Sequence, residues 1–269
     1  MIPEPIRIDR ADDPRIASYG AIRERDLVGR EGRFIAEGKV VLNMLFSARR
    51  FEVESALILD TKLPGVTETL AQAPAGLPVY IASQEVMDAI AGFHIHRGIL
   101  AVGRRPASGN QIGTLLSTLP DDALVVVLIG ISNHDNVGAI FRNAAAFEAN
   151  AVLLDAGSCD PLYRKAIRVS VGATLKVPFA KEGGEQDIFA ALAERGFRQF
   201  ALSPSGGTAL GDVDAKGPVA LYLGTEGEGL PKNLMARMTS VRIPMSQEFD
   251  SLNVGAASAI ALHRLWRRA

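Results

Sequence analysis

The chain has 269 residues, 48% hydrophobic and 22% charged, which lies in the ordinary globular range and leaves room for one large or two modest packed domains. A formal net charge of −1 and a pI near 6.4 exclude a globally basic nucleic-acid binder, so any affinity for RNA must come from local patches. The single cysteine, Cys159, excludes an intrachain disulfide and a CxxC redox pair, and no metal site is indicated.

The opening, MIPEPIRIDRADDPR, places acidic residues and prolines where an export signal needs an apolar core, so the cytoplasm is the expected compartment. Between Arg15 and Arg50 eight basic residues (Arg15, Arg23, Arg25, Arg30, Arg33, Lys39, Arg49, Arg50) face four acidic ones, a modest surplus that serves equally as solvated surface or as an RNA contact. From Phe34 onward short apolar runs alternate with amphipathic stretches. Val40, Val41, Met44 and Leu45 fall at helical spacing, while Ala56 to Leu59 and Val79 to Ala82 have strand length. This pattern predicts a small α/β unit.

Basic, small and turn-forming residues dominate from Arg104 to Asp122, which marks a linker and divides the chain into domains 1–108 and 109–269. The run ALVVVLIGI that follows is nearly continuous, as in a parallel strand buried on both faces. It is too short to span a membrane, which takes roughly 20 apolar residues. Helices are then expected over residues 137–147, 163–172 and 188–196, with strands over 151–154, 200–202 and 219–223. A final helix covers 252–268. The fold class is α/β with a parallel sheet in the second domain.

Three turn-rich clusters follow strands of this second domain, where open α/β sheets place their ligands. The first, SNHDNVGAIFRNAAAF, sets Arg142 six residues after Asn136, a residue type that can also serve as a helix cap. The second is LYLGTEGEGLP, with glycines spaced GxxGxG rather than the GxGxxG of dinucleotide binding. In the third, IPMSQEFDSLNVGAA, Ser251 and Asn253 immediately precede the last helix. His134 has no evident chemical task beyond a capping or solvent-facing one.

Taken in order, the three clusters resemble the three motifs of the SpoU (TrmH) family of the SPOUT superfamily: an N-x-G-x-x-x-R helix start, an LG-x-EGEGL turn and an IPM…SLNV passage. DPLYRKAIRVSVGATLKVPF, residues 160–179, fits the same family. The resemblance is strong over residues 122–269, and residues 20–103 more loosely resemble the small substrate-binding domain that many members carry in front. It implies a deep trefoil knot in the C-terminal domain, S-adenosyl-L-methionine as cofactor, and methylation of a ribose 2′-hydroxyl in structured RNA. Ribosomal RNA is the preferred substrate and transfer RNA the second choice. A homodimer and no membrane partner are also implied.

Residue-by-residue matching places Gly224, Ile243 and Leu252 at the cofactor, and Asn136, Arg142, Glu226, Ser251 and Asn253 at the family's polar active-site positions. Residues 110–269 alone are expected to bind the cofactor. Three positions depart from the pattern: Glu148 and Gly255 replace glycine and serine, and Thr225 replaces asparagine. A guanidinium, with a pKa of about 12.5–13.8, is a poor base, so the less costly role for Arg142 is to hold RNA phosphate and stabilise the developing alkoxide. Proton abstraction with help from a bound phosphate stays open. In the matched scheme Asn136 anchors Arg142 or the substrate and Glu226 orients the site, while Ser251 and Asn253 bind RNA or shape the pocket. A noncatalytic RNA-binding protein and a dinucleotide-dependent oxidoreductase remain the alternatives.

Overall fold

The structure is a computed structural model that describes residues 3–20, 28, 31–92, 95–106, 111–246, 248 and 250–266. Arg23, Arg25 and Arg30 of the basic stretch, and the expected domain boundary at 108/109, lie outside the described residues. The chain forms two compact units. One comprises residues up to 107 together with Leu162–Lys176, and the other comprises Ser108–Pro161 with Val177–Ala269.

The first unit contains β1 (Ile6–Ile8), β2 (Arg33–Glu37), α1 (Lys39–Ala48), β3 (Glu52–Leu59), α2 (Thr67–Leu70), β4 (Val79–Ala82), α3 (Gln84–Ala91) and β5 (Ile99–Arg104). Its strands form one sheet in the order β1-β4-β3-β5-β2, parallel across β1, β4 and β3 and antiparallel across β3, β5 and β2. The expected helix at 40–45 is α1, whose buried stripe is Val41, Leu42, Leu45 and Phe46. Its start carries no side-chain cap, and Arg49 ends it in the left-handed region. Much of the basic surplus is neutralised locally: Arg15 pairs with Asp13, and Arg33 with Glu31 and Glu54.

The second unit opens with α4 (Ile112–Ser117), a helix inside the expected linker, and β6 (Leu124–Leu128). Then come α5 (His134–Ala146), β7 (Ala151–Leu154), and two short helices, α6 (Arg164–Val169) and α7 (Ala173–Lys176), that belong to the first unit. There α6 packs on β2 and α7 on α1, and Gly172, at φ +83°, lies directly against Met44. A boundary drawn by chain position could not show this exchange.

The chain continues through β8 (Phe179–Lys181), α8 (Glu185–Glu194), β9 (Arg198–Leu202), β10 (Thr208–Ala209), β11 (Val219–Leu223), α9 (Lys232–Met235), β12 (Thr239–Arg242) and α10 (Val254–Leu265). Seven strands form a sheet in the order β10-β12-β9-β11-β6-β7-β8, and every pairing is parallel. β11 is buried throughout and β6 nearly so, as expected for strands covered on both faces. Not anticipated in this unit were α4, the short β8 and α9, the two-residue β10, and β12, whose sequence TSVR lacks an apolar run.

Candidate active site

Order in the sheet makes β12, β9, β11 and β6 consecutive neighbours, and because they are parallel their carboxyl ends lie on one edge. The three motif clusters follow β6, β11 and β12. They therefore converge although they lie about a hundred residues apart. A cavity of about 450 Å³ opens at this edge, lined by residues 202–204, 223–227, 229, 243, 245, 251–254 and 257. Such a volume falls in the range of small-molecule sites.

Gly224, Ile243 and Leu252 all line the cavity, as do Glu226, Ser251 and Asn253. Gly224 has to be glycine for a steric reason: a Cβ there would collide with the backbone of Gly229 and Leu230, where the 224–230 loop folds back on itself. Thr225 pairs with Gly229 across that turn, and its hydroxyl donates to the Gly229 carbonyl at 3.3 Å. The departure from asparagine at 225 thus keeps the turn closed.

Asn136 does not cap a helix. Asn133 does so, accepting from the Asp135 N–H at 2.8 Å, while Asn136 is buried in the first turn of α5. Its amide donates to a Glu226 carboxylate oxygen and its carbonyl accepts from Asn253 Nδ2 at 3.0 Å. Asn253 Nδ2 also lies 3.3 Å from the same Glu226 oxygen, so the three side chains close a ring. Asn253 Oδ1 accepts from the Gly255 and Ala256 N–H groups at 2.9 and 3.3 Å, capping α10. With that oxygen committed to the cap, Asn253 must turn its amide nitrogen toward Asn136 and Glu226.

Gly255 explains another departure: a Cβ at this position would meet Asn253 Oδ1 and the Ala139 side chain, each at 3.0 Å. The absence of a side chain at 255 suits the close approach of α10 to α5. Asn143 then bridges the helices by donating to the Gly255 carbonyl at 2.8 Å and the Ser258 hydroxyl at 2.9 Å. Glu148 sits at φ +54°, a conformation that glycine adopts without cost, and its carboxylate accepts from Trp266 Nε1 at 2.9 Å.

Arg142 stands apart from this ring. Six residues beyond Asn136, it lies about 1.7 turns along α5 and faces a different side of the helix. It is exposed, lines no part of the cavity, and makes no hydrogen bond or ion pair among the described residues. The expected anchoring of Arg142 by Asn136 is therefore corrected, because the Asn136 amide is occupied by Glu226 and Asn253. Ser251 is exposed at the cavity rim, and His134 opens α5 half-buried.

One wall escaped the motif reading. Leu202, Ser203 and Pro204 leave the end of β9 and line the cavity, in a loop tied to β12 by the Ser203 N–H donating to the Val241 carbonyl at 2.9 Å. Arg242 Nη1 donates to the carbonyls of Gly206 and Gly207, both at 2.8 Å. The SPSGG turn after a strand was the available signal. Among the described residues no group of His, Cys, Asp or Glu could hold a metal ion, and no helix is long and apolar enough to cross a membrane.

An all-parallel sheet with its cavity at the carboxyl ends of adjacent strands defines an open-sheet α/β ligand-binding protein. The chain belongs to the SpoU rRNA methylase family, which it matches over residues 123–263. An uncharacterized tRNA/rRNA methyltransferase of Mycobacterium bovis is 37% identical over 266 residues, spanning 95% of this chain and 90% of that protein. One of the same description from Mycobacterium tuberculosis is 37% identical over 267 residues, with the same coverage. Among solved structures, an RNA 2′-O ribose methyltransferase aligns with a TM-score of 0.77 at 27% identity, covering 97% of this chain and 98% of its own. The SpoU methyltransferase AviRb of Streptomyces viridochromogenes, in complex with AdoMet, gives 0.80 at 18% identity over 94% and 97% of the two chains, a likeness of fold.

Proposed function

We propose that the chain transfers a methyl group from S-adenosyl-L-methionine to a ribose 2′-hydroxyl of structured RNA, ribosomal RNA being preferred over transfer RNA. The observation that carries this reading is the cavity itself, which gathers the family's cofactor positions and its polar positions Glu226, Ser251 and Asn253 onto one sheet edge. The residues fit the cofactor. Leu202, Leu223, Ile243 and Leu252 offer apolar surface to a flat base, the close-packed Gly224 turn offers backbone, and Glu226 offers a negative charge for a cationic ligand.

When bound, S-adenosylmethionine supplies a methyl group activated on a sulfonium. The chain's own work is positional and electrostatic. Asn136 and Asn253 hold the Glu226 carboxylate at the cavity mouth, and Ser251 at the rim serves the incoming RNA. Arg142, exposed and unpaired among the described residues, binds an RNA phosphate and stabilises the developing alkoxide, the 2′-hydroxyl proton passing to that phosphate or to water while the S–CH3 bond breaks to leave a neutral thioether. Because Arg142 lies outside its own chain's cavity, a homodimer in which it serves the partner's cofactor suits this geometry. The exposed Ile260 of α10 supports such an interface.

The first unit would capture RNA, and the passage from β12 through 243–253 to α10 would thread the trefoil knot expected of the family. The compartment is cytoplasmic. Titration of the full chain with S-adenosylmethionine, then mapping of labelled methyl groups on ribosomal and transfer RNA, tests the reading. Binding followed by 2′-O-methylation is expected, and no binding by the folded chain contradicts it.

A further inference from the structure

Asp155 and Ser158 lie just beyond β7, carry none of the motif chemistry, and are both buried. One Asp155 carboxylate oxygen accepts three hydrogen bonds: from the Gly130 N–H at 3.0 Å, the Ser158 N–H at 2.9 Å and the Ser158 hydroxyl at 2.6 Å. The Ser158 oxygen in turn accepts from the Ile131 N–H at 3.0 Å. Backbone bonds close the set, with the Asp155 N–H donating to the Leu128 carbonyl at 3.1 Å and the Cys159 N–H to the Ile131 carbonyl at 2.8 Å. Residues 128, 130 and 131 are thus fastened to 155–159 through the Leu128 carbonyl, the Gly130 N–H and both backbone groups of Ile131.

What this fastening holds is the passage from β6 into α5. Asn133 caps that helix and Asn136 stands in its first turn, so the position of 130–131 sets where the Asn136 amide meets Glu226. The same passage touches the second motif. Gly130, at φ +69°, would place a Cβ 2.8 Å from the Thr225 methyl, and the Ile129 N–H donates to the Leu223 carbonyl at 3.0 Å.

We infer that Asp155 and Ser158 are positioning residues that act through Gly130 and Ile131 to register the α5 motif against the Glu226 loop. This deepens the methyltransferase reading and rests on it. The clip touches neither 202–204 nor 243–257 and meets the 223–229 wall only through Ile129 and Gly130, so its loss should disturb catalytic alignment more than cofactor affinity.

The test uses the full chain with Asp155→Ala, Asp155→Asn and Ser158→Ala. Asparagine keeps an acceptor oxygen of the same shape, alanine keeps none, and Ser158→Ala removes only the hydroxyl should Asp155→Ala fail to fold. Both alanine variants are expected to lower kcat by about 10- to 100-fold, the scale of a ~1 Å misplacement, with S-adenosylmethionine affinity within a few-fold of the parent. Asp155→Asn should restore most of the rate. Amide exchange at Gly130 and Ile131 should quicken in the alanine variants whether or not turnover is followed.

Unchanged kcat, or a loss of rate matched by an equal loss of cofactor affinity and no rescue by asparagine, would overturn the inference. So would unchanged exchange at those two amides. Absence of methyl transfer by the unsubstituted chain would instead count against the methyltransferase reading.

Discussion

The ring of Asn136, Glu226 and Asn253 decides what single substitutions at the site should do. Asn136→Ala removes a buried amide and leaves two polar partners facing a void, a loss of about 1–3 kcal/mol in stability together with a misplaced Glu226 carboxylate. Denaturant melts and turnover should both fall. Arg142→Ala should behave differently: the exposed guanidinium holds nothing within its own chain, so stability should stay within about 0.5 kcal/mol while methyl transfer is lost and cofactor affinity persists. Near-normal turnover of Arg142→Ala would remove it from the mechanism. Cys159 offers a pH test. Burial, aided by Asp160, pushes its thiol up to about 12 from a usual 9.0. The unfolded thiol ionises first, so the stabilising contribution is complete below pH 9 and declines as pH rises toward 12. At pH 8 iodoacetamide should label the native chain far more slowly than the unfolded one, and equal rates would contradict that burial.

Helix pairing explains why the departures from the family pattern are tolerated. Glu148 carries a left-handed backbone that costs roughly 1 kcal/mol relative to glycine, and its bond to the Trp266 indole returns an amount of the same order. Glu148→Gly should therefore leave the melting temperature nearly unchanged, while Glu148→Ala keeps the strain, loses the bond and should destabilise by about 1 kcal/mol. Trp266 is the chain's one tryptophan, so its emission should shift in both variants. Equal destabilisation by glycine and alanine would show that the backbone is not strained. The elements most legible in the sequence were those whose pattern reflects burial on both faces, such as β6 and β11, and helices with a clear apolar stripe, such as α1 and α5. β12 was not legible: it reads TSVR, and its place between β10 and β9 comes from long-range pairing that local pattern does not encode. For the same reason motif order pointed to Gly224, Ile243 and Leu252, which line the cavity, but not to the Ser203 wall. Nor could it show that Asn136 turns inward while Arg142 turns out, since that depends on where α10 packs.

At the scale of the whole molecule, the assignment of Leu162–Lys176 to the first unit changes what a truncation should do. The simple expectation was that residues 110–269 would hold the cofactor alone. Ala166, Ile167, Ala173 and Leu175 are all buried, and α6 and α7 pack on β2 and α1 of the first unit. Deleting residues 1–107 should expose these apolar side chains, lower the unfolding temperature and promote association of the remainder. Light scattering and thermal melts of that truncation would show it, and a monodisperse product as stable as the full chain would contradict it. One measurement reaches both the cavity and the family's chemistry. The purified full chain is incubated with methyl-labelled S-adenosylmethionine and deproteinised ribosomal and transfer RNA, and the RNA is digested to nucleosides. Label in a 2′-O-methyl nucleoside, lost with Arg142→Ala and with Asn136→Ala, is the predicted result. Label on a base, or none in any RNA from a chain that is folded, would contradict it.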